Sequence, residues 1–177
     1  MYQGEAGDGR SKARATYSAH ETRVSWSSQA GGDRAVDGGW WPRTDRLEVE
    51  FGGLAGLVVT RLRDQIAHVQ ANVVDWVEQP LAIDIREQQV PVSWFTILFE
   101  HLVVVHCASG RRLMLVVIAP DTEVAVALRA LDLAGDPETA SLGDEILTAA
   151  STEDIGSIGP AVALRRLGYR IRSRWQT

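Results

Sequence analysis

The chain reads as an α+β domain, with a mostly antiparallel sheet of five to six strands, two main helices packed on one face and a C-terminal accessory segment. Three observations carry this. Residues 23–29, 66–73 and 81–87 alternate apolar and polar side chains, the period of a half-buried strand. Two apolar runs, 102–107 and 112–119, flank Ala108-Ser109-Gly110-Arg111, and Ser-Gly between such runs signals a hairpin. Residues 45–62 and 121–134 repeat their apolar side chains at helical spacing.

In the first strand Val24 and Trp26 share a face opposite Arg23 and Ser25. Gln29–Asp33 is a loop, and Asp37-Gly38 is a turn signal. Asp45 and Glu48 have the spacing of a capping box and open a helix carrying Leu47, Phe51, Leu54, Leu57 and Leu62. Gly52, Gly53 and Gly56 weaken it by about 1 kcal/mol each relative to alanine; alternatively they permit close packing on a sheet. In 66–73, Ala67, Val69, Ala71 and Val73 oppose His68, Gln70 and Asn72; in 81–87, Leu81, Ile83 and Ile85 oppose Asp84 and Arg86. Residues 90–99 are apolar and aromatic. The continuously apolar run 112–119 predicts a central strand covered on both faces.

Pro120-Asp121-Thr122-Glu123 opens the second helix, where Asp121 or Thr122 can cap and Glu123 suits the positive end. Val124, Leu128 and Leu131 form its stripe, and Gly135 is a stop signal. A shorter helix is expected near 142–150. Residues 1–22, polar and rich in glycine and alanine, read as a mobile tail; 23–135 form the core domain and 136–177 an accessory region. In that region Pro160–Leu167 suits a short helix. Beyond Gly168, Tyr169, Ile171, Ser173 and Trp175 alternate with Arg170, Arg172 and Arg174, a strand with an arginine ladder; a continuous helix competes with it.

Composition excludes several classes. Of 177 residues, 45% are hydrophobic and 23% charged, ordinary for a globular protein, and the net charge is −5. An acidic chain is disfavoured as a general nucleic-acid binder. Charge is unevenly placed. Residues 159–177 carry five arginines and no acid, whereas 121–158 carry nine acids and only Arg129. The basic end either pairs with the acidic stretch or meets an external anionic partner. Seventeen of the 18 basic residues are arginine, which fits phosphate recognition but also a GC-rich genome. One cysteine, Cys107, permits no intrachain disulfide. No secretory signal opens the chain and no apolar run has membrane-spanning length, so a cytoplasmic protein with no membrane contact is expected.

Val36-Asp37-Gly38-Gly39-Trp40-Trp41-Pro42-Arg43 and Gly110-Arg111-Arg112-Leu113-Met114-Leu115-Val116-Val117-Ile118-Ala119-Pro120-Asp121-Thr122 carry a likeness. The chain resembles an actinobacterial family of small domains of unknown function in which V-D-G-x-W-W-P-R is the hallmark. The second stretch is similar to that family's late hairpin strand and its Pro-Asp-Thr entry to the last helix. The resemblance spans roughly residues 23–134. Segment 63–99 departs from the family pattern, and 136–177 lie outside it. The resemblance implies a bacterial host of that group and no activity.

Chemistry-bearing patterns are sparse. His101 and His106 are five apart, on opposite faces of a strand, and neither closes a metal site without a distant partner. Cys107 in an apolar strand reads as a small hydrophobe. There is no nucleophile elbow, phosphate loop or dinucleotide fingerprint. Asp75, Glu78, Asp84 and Glu87 read as solvated loop carboxylates. No catalytic residue, metal or cofactor is expected.

The tryptophans stand out. If Trp40 and Trp41 lie in extended chain, one ring enters the core and the other faces out beside Pro42 and Arg43, to stack on a ligand or dock a partner. The competing reading makes both rings structural caps of the sheet. Trp76 and Trp94 can join them. Two functions lead, with nucleic-acid binding through Arg170, Arg172 and Arg174 a third, weaker option. One is a non-enzymatic interaction or regulatory domain, with a protein partner or self-association through Trp40, Trp41 and Arg43 and an anionic partner at Arg170, Arg172 and Arg174. The other is a small-molecule binder or cryptic enzyme with an aromatic pocket under Trp40, Trp41, Trp76 or Trp94.

Overall fold

The computed structural model describes residues 22–28, 35–97, 100–139 and 141–152. The elements run β1 (Arg23–Trp26), β2 (Gly38–Trp41), α1 (Leu47–Leu62), β3 (Ile66–Asn72), a single 3-10 turn (Val73–Asp75), β4 (Ala82–Ile85), β5 (Gln88–Phe95), β6 (Leu102–Cys107), β7 (Arg112–Val117), α2 (Val124–Gly135) and α3 (Gly143–Ser151). The fold is α+β. Among the described residues its sheet has seven strands, not five or six, in the order β1-β2-β7-β6-β3-β5-β4, and it is mixed: four of its six pairings are antiparallel, as expected for most of the sheet, and two are parallel. Strand β2 is parallel to β7, and β3 is parallel to β5. Since β6 is antiparallel to both β7 and β3, strands β2, β7, β3 and β5 all point one way.

The helices do not share a face. On one side α1 sends Leu47, Phe51, Leu54, Ala55 and Val58 into a core with Val69, Ala71, Val103, Val105, Leu113 and Leu115. On the other, α2 supplies Ala127, Ala130, Leu131 and Ala134, and α3 supplies Ile146 and Ala150, against Trp41, Val116 and Ile118. The reason lies in β7. Leu113, Leu115 and Val117 point to α1 while Val116 points to α2, and a strand apolar on both faces needs cover on both.

The predicted helix at 45–62 starts two residues later, and the Asp45–Glu48 box does not form. Arg46 is the cap residue, and Glu50 reaches back instead, accepting from the Arg43 N–H at 3.1 Å and the Thr44 hydroxyl at 3.0 Å. The helix ends at Arg63 in left-handed backbone, φ 53°, whose N–H donates to the Val59 carbonyl. Gly52 has open space where a Cβ would stand, so close packing is not its role. In β3 a bulge between Ile66 and His68 turns Ala67 outward, leaving Ile66, Val69 and Ala71 as the buried apolar set, with Asn72 buried at the strand's end.

Strands β4 and β5 are joined by Arg86-Glu87, both at positive φ (49° and 69°), the backbone of a two-residue hairpin turn without its usual Asn-Gly signature. The β6–β7 hairpin forms where Ser-Gly predicted it, with Gly110 at φ 88°. Among the described residues no helix is long and apolar enough to cross a membrane. The expected helix at 160–167, the arginine ladder at Arg170, Arg172 and Arg174, and the N-terminal segment 1–21 lie outside the described residues.

Candidate functional site

Gly38–Trp41 form strand β2 where Asp37-Gly38 predicts a turn. Strand β2 lies between β1 and β7, so both its edges are occupied. A Cβ at Gly38 would stand 2.1 Å from the Ser25 carbonyl oxygen, and one at Gly39 would stand 3.0 Å from Ala134 Cβ. The two glycines therefore let β1 and α2 close on the strand. Asp37 extends the pairing, its N–H donating to the Met114 carbonyl at 2.7 Å and its Oδ2 accepting from the Met114 N–H at 2.9 Å.

Trp40 and Trp41 point to opposite faces, as extended backbone requires, and both are covered. Trp40 is 0% exposed, in edge-to-face contact with Phe51 and 5.3 Å from the Trp76 ring. Trp41 is 6% exposed and lies under Arg23, whose guanidinium carbon sits 3.5 Å from the ring centre. Arg23 also donates to the carbonyls of Trp41 and Pro42. Burial lowers the Arg23 pKa from its ordinary value, with Arg43 adding to the effect. Neither ring is a surface feature. Arg43 alone of this trio is exposed.

Of the other two tryptophans, Trp76 joins the Trp40 stack and is buried. Trp94 packs at the rim of the same core and donates its indole N–H to the Pro80 carbonyl at 2.9 Å. The indole nitrogens of Trp40, Trp41 and Trp76 are buried without a hydrogen-bond partner.

A pairing that sequence reasoning missed joins two residues 26 apart. Asp75 closes the 3-10 turn after β3, whose first turn is capped by the Asn72 side chain accepting from the Val74 N–H. Its Oδ1 lies 2.7 Å from His101 Nδ1. The Asp75 side chain is 6% exposed and its Oδ2 has no partner, so it is not a solvated loop carboxylate. His101 precedes β6 in left-handed backbone, φ 53°. The Asp75 hydrogen bond raises its pKa above the ordinary value; burial opposes this, and the charges of Asp75, Asp144 and Glu100 reinforce it. Only the residue types were legible, because nothing in the linear spacing brings Asp75 to His101.

This pair sits at the carboxyl ends of the four co-directional strands, where open sheets in α/β proteins place their sites. The same end carries an apolar rim. Leu81 is 84% and Ile97 is 82% exposed, and Val74 and Val77 are each more than half exposed. The register Asn72↔Phe95 brings the ends of β3 and β5 to one level, so Val74 and Ile97 leave the sheet together. Leu81 leads into β4 on the other side of β5, its carbonyl accepting from the Val92 N–H, three residues before Phe95. Trp94, Phe95, Thr96 and Ile97 line an open depression of about 420 Å³. The acids Glu100, Asp121, Glu123 and Asp144 are exposed on segments that leave or enter this end.

On the face opposite α1, His68 and His106 lie across β3 and β6 with ring centres 5.4 Å apart, and His68 Nε2 is 2.9 Å from Ser93 Oγ. Burial, then His68 and Arg112, lower the His106 pKa from its ordinary value. Cys107 is buried, which raises its thiol pKa. Among the described residues no group of three or more His, Cys, Asp or Glu side chains is arranged to hold a metal ion.

These features define a small α+β domain with a tryptophan-bearing strand sealed next to one edge of the sheet and an apolar, acid-flanked rim at the carboxyl ends of its strands. The chain belongs to a family of unknown function, DUF5994, whose model matches residues 23–134. That span takes in all seven strands, α1 and all but the last residue of α2. No curated protein and no solved structure matches the chain.

Proposed function

We propose that the chain is a non-enzymatic interaction domain that docks an apolar, basic-flanked segment of a partner protein on the rim formed by Val74, Val77, Leu81 and Ile97 around Trp94. The observation that carries this is the clustering of exposed apolar side chains. Val74, Val77, Leu81 and Ile97, four of the eight large ones among the described residues, stand on the segments that follow β3, lead into β4 and end β5, and exposed apolar surface gathered on one part of a protein marks interaction sites. The exposed acids on the adjoining segments set the partner's charge. Trp40 acts from beneath, as the packed layer under the Trp76 turn, and Trp41 fixes β2 on the opposite face. Arg43 and the arginines at 170, 172 and 174 stay as outlying contacts of the same reading.

The full-length protein is the bait in the deciding experiment, with photo-crosslinking to locate the captured protein. Capture is expected to be lost in Leu81→Asp/Ile97→Asp and kept in Arg43→Ala, with crosslinks mapping to Val77, Leu81 and Ile97. Equal capture by wild type and the double variant, or crosslinks confined to Trp41-Pro42-Arg43, contradicts the reading. Native mass spectrometry of the same samples distinguishes a second copy of the chain from a different protein. A small bound mass lost with Trp94→Ala would support instead a small-molecule site in the open depression.

A further inference from the structure

The geometry points to the Asp75–His101 ion pair as a pH-sensitive clasp that holds the docking rim in shape, closed while His101 carries its proton and loosened when the proton is lost. The inference deepens the docking reading and rests on it for its biological consequence, though not for its test.

A carboxylate taken out of water needs a compensating charge or a full set of donors. Asp75 is almost wholly buried, its Oδ1 is held by His101, and its Oδ2 has no partner. Protonated His101 therefore supplies the compensation. A neutral imidazole still donates one hydrogen bond from Nδ1 but leaves the buried negative charge unbalanced.

The two partners are unequally anchored. The His101 carbonyl accepts from the Val117 N–H at 2.8 Å, extending the β6–β7 pairing. Helix α3 abuts it too, since a Cβ on Gly143 would stand 3.0 Å from the same oxygen. The turn carrying Asp75 is held at its two ends, by the Asn72 cap before it and by buried Trp76 after it, stacked on Trp40, with the Val77 N–H donating to the Asp45 carbonyl at 3.0 Å; Val74, between those anchors, stands exposed. When the clasp loosens, the turn side gives, and that turn carries Val74 and leads into Val77. The charged groups facing His101 are Asp75 from the turn, Glu100 preceding it and Asp144 from α3, all acidic and all favouring its protonated form. Loosening therefore falls above the ordinary imidazole range, and rim and partner separate as pH rises.

The test is an NMR pH titration of the labelled full-length protein, with no partner present. The His101 imidazole is expected to titrate above an unpaired imidazole. The Val74 and Val77 amides are expected to move with the same midpoint, while the Arg86-Glu87 turn at the far end of the sheet stays still. Asp75→Asn should lower the His101 midpoint and uncouple Val74 and Val77 from it. His101→Lys, with a charge that persists through the same range, should hold both amides at their low-pH positions. A wild-type titration of His101 that leaves Val74 and Val77 unmoved overturns the clasp, as does a transition at those amides that persists in His101→Gln. Co-titration together with failed capture would keep the clasp and remove the docking reading; capture without co-titration would do the reverse.

Discussion

Residues 36–43 and residues 73–81 make an instructive pair. The first stretch is the most distinctive in the sequence, with adjacent tryptophans before Pro-Arg, and all of it but Arg43 is sealed inside the protein between β1, β7 and α2. The second has no motif, yet it places Val74, Val77 and Leu81 in solvent and hides a carboxylate beneath them. A distinctive motif can therefore be distinctive for packing. Two glycines with no room for a Cβ, a tryptophan for each face and an aspartate that extends a strand pairing are demands of assembly. Residues offered to a partner need only be apolar and left uncovered.

The largest effects are expected in the buried stretch. Trp40→Ala is expected to cost about 3–5 kcal/mol, the range for removing a large aromatic from a core. Urea unfolding measures it, and a loss under about 1 kcal/mol would mean that Trp40 is not a core residue. Gly38→Ala should cost about 1–3 kcal/mol, the range for overpacking, because its Cβ meets backbone and not a flexible side chain.

Next in size is a pH effect with two opposing arms. The His101 pKa is raised by folding, so its contribution is complete below the unfolded imidazole value and is lost as pH rises through the folded one. The His106 pKa is lowered, so its contribution is present above the unfolded value and is lost as pH falls through the folded one. Urea midpoints followed against pH should lose their alkaline decline in His101→Gln and their acid decline in His106→Gln. A smaller change, of opposite sign, is expected on the exposed side of α1. Gly52→Ala has room for its methyl group and should stabilise by about 1 kcal/mol through helix propensity. The smallest stability effect belongs to the rim, where Leu81→Asp should fall within about 0.5 kcal/mol of wild type.

Strand and helix positions were legible wherever side chains alternated or recurred at helical spacing, as in β3, β6, β7 and all three described helices. Strand β2 was not, because Asp-Gly and Gly-Gly are turn signals unless tertiary packing requires the missing Cβ atoms. The arrangement of helices on both faces was implied by the continuously apolar run at 112–119, which predicts cover on two sides; placing α1 and α2 together contradicted that implication. The parallel pairings β2–β7 and β3–β5 depend on contacts far apart in sequence and leave no local signature. Much of the candidate site was hidden for the same reason. His101 and Asp75 are ordinary residues until the sheet brings the start of β6 beside the end of β3, and Leu81 looked like the inward member of an alternating strand. It stands just before β4 begins, where the alternation no longer binds it to the core face.

The claim that the rim, not the Trp40-Trp41 pair, meets a partner is tested most directly by carbene footprinting of the full-length protein, alone and in complex with what it captures. The account predicts strong labelling of Val77, Leu81 and Ile97 in the free chain, masking of those three in the complex, and no labelling of Trp40 or Trp41 in either. Masking confined to Trp41-Pro42-Arg43, with the rim labelled equally in both states, would contradict it.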